Sequence, residues 1–270
     1  MPMEKNKYIY KYVSLDINAI KLLVTGHLYL ASPSSLNDPF ESEFEFEELE
    51  EIPNIELLKE ILLNKKIDFS KIDQSNFYRY LKEQLKETLD KEYGITCFSE
   101  TNDNILLWSH YAKSHTGICL QFDSEKLNSG KVKEIGLKLE KIIPITSIPK
   151  VKIILDENGL SFKDEECIAL CKLADWHYEN EIRLHGNLSN FCNDTVVKRT
   201  VPFDRESLTG IILGEKISKD DENLLAHLVE NHKELKKINW YRARKDFAEV
   251  KMKIESFGGF FIPNTITISR

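Results

Sequence analysis

Residues 93–123 read YGITCFSETNDNILLWSHYAKSHTGICLQFD, and the fold turns on how this stretch is parsed. GITCFS and TGICLQFD are short apolar runs, rich in Ile, Phe, Cys and Thr and closed by polar residues, the pattern of strands. Between them ILLWSHYAK has helical spacing, with Asn102 or Asp103 available as its N-cap. The unit is therefore strand–helix–strand. On that helix Trp108, Tyr111 and His115 fall three and four residues apart and share a face, while Leu106 and His110 share the next one. An aromatic stripe of this kind belongs more often to a core than to a site. His110 fits a core less well, because a buried imidazole needs partners for its ring nitrogens.

Working outward, the same order recurs upstream. KYIYKYV (residues 7–13) is a strand, Asp16 caps a helix INAIKLLVT that Gly26 stops, and HLYLAS is a second strand leading into the loop PSSLNDPFES. That loop either presents Asn37 and Asp38 to a ligand or simply closes a turn. EFEFEELEEI (43–52) is acidic and reads as solvated. Helical patterns follow over about 54–65 and 74–92. Downstream, GLKLEKIIPI and KVKII add strands, a helix covers about 163–174, and YENEIRLHG is strand-like. TVVKRTVPF and GIILG come next, then a helix near 217–233, then KINWYRARKDF and EVKMKI. The chain reads as one α+β domain over 1–270 with a mainly helical insertion at about 50–92.

Composition narrows the function. A net charge of −7 argues against a broad nucleic-acid-binding surface, which needs clustered Lys and Arg. No run approaches the roughly 20 apolar residues of a bilayer span, and the start MPMEKNKYIYKYVSLD lacks the apolar centre of an export signal. A cytoplasmic location is expected. The five cysteines read as reduced thiols, with Cys97 and Cys119 as small buried hydrophobes in strands. Cys167 and Cys171, four apart near His177, lack the further ligands that a zinc site requires. Trp176 reads as packing.

Five segments, YKYVSLD, LYLASPSSLNDPFES, TCFSETNDNILLWSHYAKSHTGICLQFD, WHYENEIRL and IILGEKIS, together resemble an uncharacterised bacterial family of domains of unknown function. A more distant resemblance is to the ADP-ribosyltransferase superfamily, particularly the branch that includes the poly-ADP-ribose polymerases. IYKYVSLDINAIKLLVTGHLYLAS follows that fold's opening strand, helix and strand. GITCFSETNDNILLWSHYAKSH looks like its strand ending at Ser99 and the helix carrying a nicotinamide-stacking tyrosine, here Tyr111. YENEIRL looks like the strand with the catalytic glutamate, here Glu181. The sequence departs from the pattern at Lys11, where the family carries a histidine, and at Tyr12, where it carries a glycine.

The resemblance implies an ADP-ribosyltransferase-like split mixed sheet and an NAD-consuming activity: transfer of ADP-ribose to a macromolecular acceptor, or NAD glycohydrolysis, in a toxin or an anti-phage defence effector. Breaking the nicotinamide–ribose bond builds positive charge on the sugar, and a carboxylate beside the ring stabilises it. Glu181 suits that role. Glu179, two residues earlier on the expected strand, shares its face and suggests a paired-glutamate arrangement, whereas Arg183 on that face equally suggests surface ion pairing. Lys11, Tyr12, Ser99, Trp108, His110, Tyr111 and Arg183 are the residues expected around NAD. Two other readings stand beside this one. The same fold can serve as a non-catalytic module binding a nucleotide or a partner, or Asp103, His110 and His115 can form part of a metal-dependent hydrolase.

Overall fold

The computed structural model describes residues 7–47, 74–156, 159–163, 166–189 and 198–258. Its strands are β1 (Tyr8–Val13), β2 (His27–Tyr29), β3 (Glu45–Phe46), β4 (Tyr93–Ser99), β5 (Ile118–Asp123), β6 (Lys138–Lys141), β7 (Ile143–Ile145), β8 (Lys150–Asp156), β9 (Gly159–Lys163), β10 (Cys171–Leu173), β11 (Glu181–Asn187), β12 (Thr200–Pro202), β13 (Leu208–Leu213), β14 (Asn239–Asp246) and β15 (Lys251–Phe257). The helices are α1 (Ile17–Thr25), α2 (Gln74–Glu92), α3 (Ile105–His110), the single turns α4 (Ser124–Leu127) and α5 (Lys131–Glu134), α6 (Glu166–Leu170) and α7 (Lys219–Asn231).

Eight strands form one mixed sheet in the order β15-β14-β13-β5-β1-β4-β11-β6. Only β13 and β14 pair in parallel within it. Smaller sheets join β10 to β7, β12 to β2, and β3 to β8 and β9. The fold is α+β, as expected.

Local chemistry explains the opening unit. Asp16 accepts from the backbone N–H groups of Asn18 and Ala19 and starts α1; Gly26 at φ 66° ends it with its own N–H on Leu22 O. Strand alternation then sorts side chains to the two sheet faces. Ile9 and Val13 of β1, Phe98 of β4, and Ile182 and Leu184 of β11 join the larger core with Leu23 and Leu28. Tyr12 turns to the other face, where Trp108, Cys119, Ala243 and Met252 form a second cluster.

Three expectations need correcting. The acidic stretch is not solvated as a whole: Phe44 is fully buried, Glu45–Phe46 pairs with β8, and Glu43 forms ion pairs with Lys82 and Lys86 of α2. Burying Phe44 against Leu85, Val151 and Ile168 outweighs the propensity of the surrounding carboxylates for water. The N-cap of α3 is Asn104, whose side chain accepts from Leu106 and Leu107 N–H, rather than Asn102 or Asp103. The expected helix over 163–174 is shorter, because the chain is extended in β10 and then turns into a 3-10 segment, Ala174–Glu179. Helix α2 matches the predicted 74–92; the predicted helix at 54–65 lies outside the described residues. Among the described residues no helix is long and apolar enough to cross a membrane.

Candidate functional site

Strand β1 pairs with β5 along its whole length, from Tyr8↔Asp123 to Val13↔Ile118, but with β4 only at Tyr10↔Ser99. Below that position the two central strands are open to each other. The opening holds a cavity of about 920 Å³, at the upper end of the usual range for small-molecule sites. Lys11 and Tyr12, from opposite faces of β1, line it together with Cys97 and Phe98, from opposite faces of β4. Tyr111, Lys172, Glu179 and Glu181 line one part of it, and α1 with β2 lines another through Asn18, Lys21 and His27.

Lys11 spans the opening. Its side chain leaves β1 on the core face between Ile9 and Val13, and its Nζ donates to Thr96 Oγ1 at 2.7 Å and to Cys97 O at 3.1 Å, over the Phe98 ring. Both acceptors are neutral. Burial holds its pKa below the ordinary lysine value, against the opposing influence of Cys97 and Glu181. The strand lies between β5 and β4, so Lys11 is not a solvated edge lysine.

The acidic side of the cavity is a continuous ionic chain. Lys172 Nζ donates to Glu179 Oε2 at 2.6 Å and to Glu181 Oε2 at 2.7 Å, beneath the Trp176 ring. Arg183 donates from Nε to Glu181 Oε1 at 2.7 Å and makes a fork to both oxygens of Glu41 at 2.6 and 3.0 Å. Its fourth contact is Ala169 O at 2.6 Å. At the other end Tyr111 donates to Glu179 Oε1 at 2.6 Å and accepts from Asn37 Nδ2 at 3.0 Å. Glu41, Lys172, Glu179, Glu181 and Arg183 are all buried, which such charges tolerate only when paired.

Glu179 and Glu181 converge by a route the sequence did not suggest. They do not share a strand: Glu179 ends the 3-10 segment, and Asn180 at φ 43° turns the chain before β11 begins. Ser99 Oγ fixes that corner by donating to Glu179 O at 2.6 Å, and Asn104 Nδ2 holds Tyr178 O at 2.7 Å. The turn replaces strand alternation as the reason both carboxylates meet Lys172.

Burial opposes ionisation of Glu181, but Arg183 and Lys172 overcome it and hold its carboxyl at about 2. Lys172 is likewise pushed by burial toward the neutral form, yet Glu181 and Glu179 raise it to about 12. Burial and the hydrogen bond to Glu179 push the Tyr111 phenol upward, so it stays a proton donor. Burial and the Glu181 charge push the Cys97 thiol upward too.

Of the residues expected around NAD, Lys11, Tyr12, Ser99 and Tyr111 line the cavity with both glutamates, and Trp108, His110 and Arg183 do not. Trp108 is a core residue, fully buried, edge-on to Tyr12 at 5.2 Å with its Nε1 donating to Asn102 O. His110 is exposed at the end of α3. Arg183 stands behind Glu181, sealed by Glu41. His115 does not share a helical face with Trp108 and Tyr111, since α3 ends at His110 and Lys113, Ser114 and His115 are left-handed.

Asp38 closes a turn through Phe40 N–H, whereas Asn37 reaches Tyr111. Among the described residues no group of three His, Cys, Asp or Glu side chains is placed to hold a metal ion, and Asp103, His110 and His115 form none. Cys171 belongs to β10 and not to a helix shared with Cys167. Cys97, expected as a buried hydrophobe, lines the cavity beside Glu181. Lys172 and Glu41 were not anticipated. Their local sequence, Lys172 between Cys171 and Leu173 and Glu41 between Phe40 and Ser42, is one that many surface positions share.

Residues 107–184 match DUF2971, a family described as a protein of unknown function. The matched span runs from the last turn of α3 into β11 and contains Tyr111, Lys172, Glu179, Glu181 and Arg183; Lys11, Glu41, Cys97 and Ser99 precede it. No curated protein and no solved structure matches the chain.

Proposed function

We propose that the cavity takes NAD and that the protein cleaves the bond between nicotinamide and ribose, passing ADP-ribose to a macromolecular acceptor or to water. The observation that carries this reading is the charge layout of the cavity. On one side Glu41, Glu179 and Glu181 outnumber Lys172 and Arg183 within a single buried network, leaving a surplus negative charge next to Tyr111. On the other side Lys11 offers an ammonium whose polar contacts are neutral. A ligand with a cationic ring and ribose at one end and a pyrophosphate beyond it complements that layout.

In this reading Tyr111 gives the nicotinamide ring an aromatic face. The Glu181 carboxylate, kept ionised and fixed in direction by two cations, lies where positive charge develops on the ribose as nicotinamide leaves with the bonding pair. Glu179 is the second carboxylate available for the incoming acceptor's proton. Lys11 donates to the ribose or pyrophosphate. The opening between β1 and β4 is the feature that would make the sheet ADP-ribosyltransferase-like.

Incubating the purified protein with NAD, with and without cell extract as acceptor, and measuring free nicotinamide by chromatography tests this. Release is expected from the native protein and not from Glu181→Gln. Absence of release under every acceptor condition contradicts the proposal.

A second reading is supported by the fact that both Glu181 oxygens are already engaged, by Lys172 and by Arg183. A carboxylate so occupied suits a module that binds a nucleotide or partner without turnover. NAD then raises the melting temperature and yields no nicotinamide.

A further inference from the structure

Lys172 belongs to no motif read from the sequence, yet it is the group on which the two cavity carboxylates converge. It comes from β10, outside the eight-stranded sheet, and reaches in beneath Trp176 at 5.0 Å from the ring centroid. Its side chain is 3% exposed, and its ammonium donates to the two carboxylates. Among the described residues its contacts at 2.6 and 2.7 Å are the one cation contact of Glu179 and one of two for Glu181.

From this geometry we infer that Lys172 is the positioning residue of the site: it acts through Glu179 and Glu181, holding both carboxylates ionised and side by side towards the cavity. The role deepens the NAD reading and, for its catalytic consequence, rests on it. Two carboxylates that share one hydrogen-bonded cation within a buried pocket cannot both remain charged once that cation is removed; one takes up a proton. Arg183 does not substitute, because four of its five N–H donors are committed to Glu181, Glu41 and Ala169 O and none is bonded to Glu179. On the Glu179 side the neighbours are the phenols of Tyr111 and Tyr178, which carry no positive charge. On the Glu181 side the remaining neighbours are the Cys97 thiol and, further off, Lys11. Neither supplies a second ammonium within bonding distance of both carboxylates.

The test uses the full chain with Glu carboxyl carbons labelled by ¹³C and followed by NMR titration. In the native protein Glu181 is expected to stay ionised through the whole range from pH 8 to pH 4. In Lys172→Met, and in Lys172→Gln, which keeps a donor without the charge, Glu181 is expected to titrate at least two pH units higher than in the native protein. Lys172→Arg should restore the native titration.

Nicotinamide release gives a second reading. Its acid limb should move to higher pH in Lys172→Gln and recover as the pH rises, whereas a purely structural role would lower the rate equally at every pH. Should both uncharged variants fail to fold, the ¹⁵Nζ resonance of Lys172 in the native protein decides: retention of the ammonium beyond the ordinary lysine range supports the role, and loss within that range overturns it. Unchanged carboxylate titration in Lys172→Gln overturns it as well. If the native protein releases no nicotinamide, the NAD reading fails alone, because the titrations are read without NAD.

Discussion

Tyr111 and Glu179, 68 positions apart in the chain, meet in a 2.6 Å hydrogen bond in which the phenol donates to the carboxylate. The contact ties the end of α3 to the 3-10 segment before β11 and sets the aromatic ring against the ionic chain. Hydrogen bonds to charged groups contribute roughly 1.5–3 kcal/mol when buried, and less at a partly exposed site such as this one. Tyr111→Phe should therefore lower unfolding free energy by about 1 kcal/mol in urea titrations and leave NAD binding largely intact. Tyr111→Ala should weaken NAD binding at least tenfold by calorimetry, because it removes the ring itself.

Arg183 should dominate stability at the site. It is fully buried and its guanidinium holds Glu41 and Glu181 at once. Arg183→Met leaves two buried carboxylates with one cation fewer, a change that costs roughly 3–5 kcal/mol. Chemical denaturation should show that loss, while exposed ion pairs such as Lys253–Glu255 should give less than about 1 kcal/mol when broken.

The pH dependence of stability follows from Glu181. Its folded pKa of about 2 lies below the ordinary 4.5, so the unfolded chain binds the proton first as the pH falls. The stabilisation is fully present above pH 4.5 and is lost progressively down to about pH 2. Lys172 acts at the other extreme: with its folded pKa raised from 10.5 to about 12, its contribution is present below pH 10.5 and disappears as the pH passes 12. Thermal unfolding across pH 2–5 should be visibly flatter for Glu181→Gln than for the native protein.

Trp108 and His110 separate core from surface on one short helix. Trp108→Ala removes a fully buried ring packed on Tyr12 and should cost roughly 3–5 kcal/mol. His110→Ala, at an exposed position, should fall within about 0.5 kcal/mol of the native protein. Comparable losses for the two would contradict the assignment of Trp108 to the core.

These contrasts mark what the sequence disclosed. Caps and periodicity are local, so α1, bounded by Asp16 and Gly26, and α2, with its apolar residues at helical spacing, could be read directly. The strands of the central sheet could be read for the same reason. The resemblance put Tyr111 and Glu181 at one site, whereas the hydrogen bond from Tyr111 to Glu179, before β11, came from neither resemblance nor local pattern. Lys172 stayed hidden because β10 is three residues long and follows a helix, so periodicity assigned it to the helix. Arg183 and Glu41 meet across 142 positions, which no local pattern encodes. The left-handed turn at Asn180 displaced Glu179 from the strand on which alternation had placed it. The opening between β1 and β4 is a property of register, and a chain without glycine or proline at Lys11 or Cys97 gives no sign of it.

A crystal structure of Glu181→Gln grown with NAD tests the central claim most directly. The account predicts nicotinamide ribose between Tyr111 and position 181, with the pyrophosphate within hydrogen-bond reach of Lys11 Nζ. NAD bound elsewhere on the molecule, or a cavity that remains empty at saturating NAD, would contradict it.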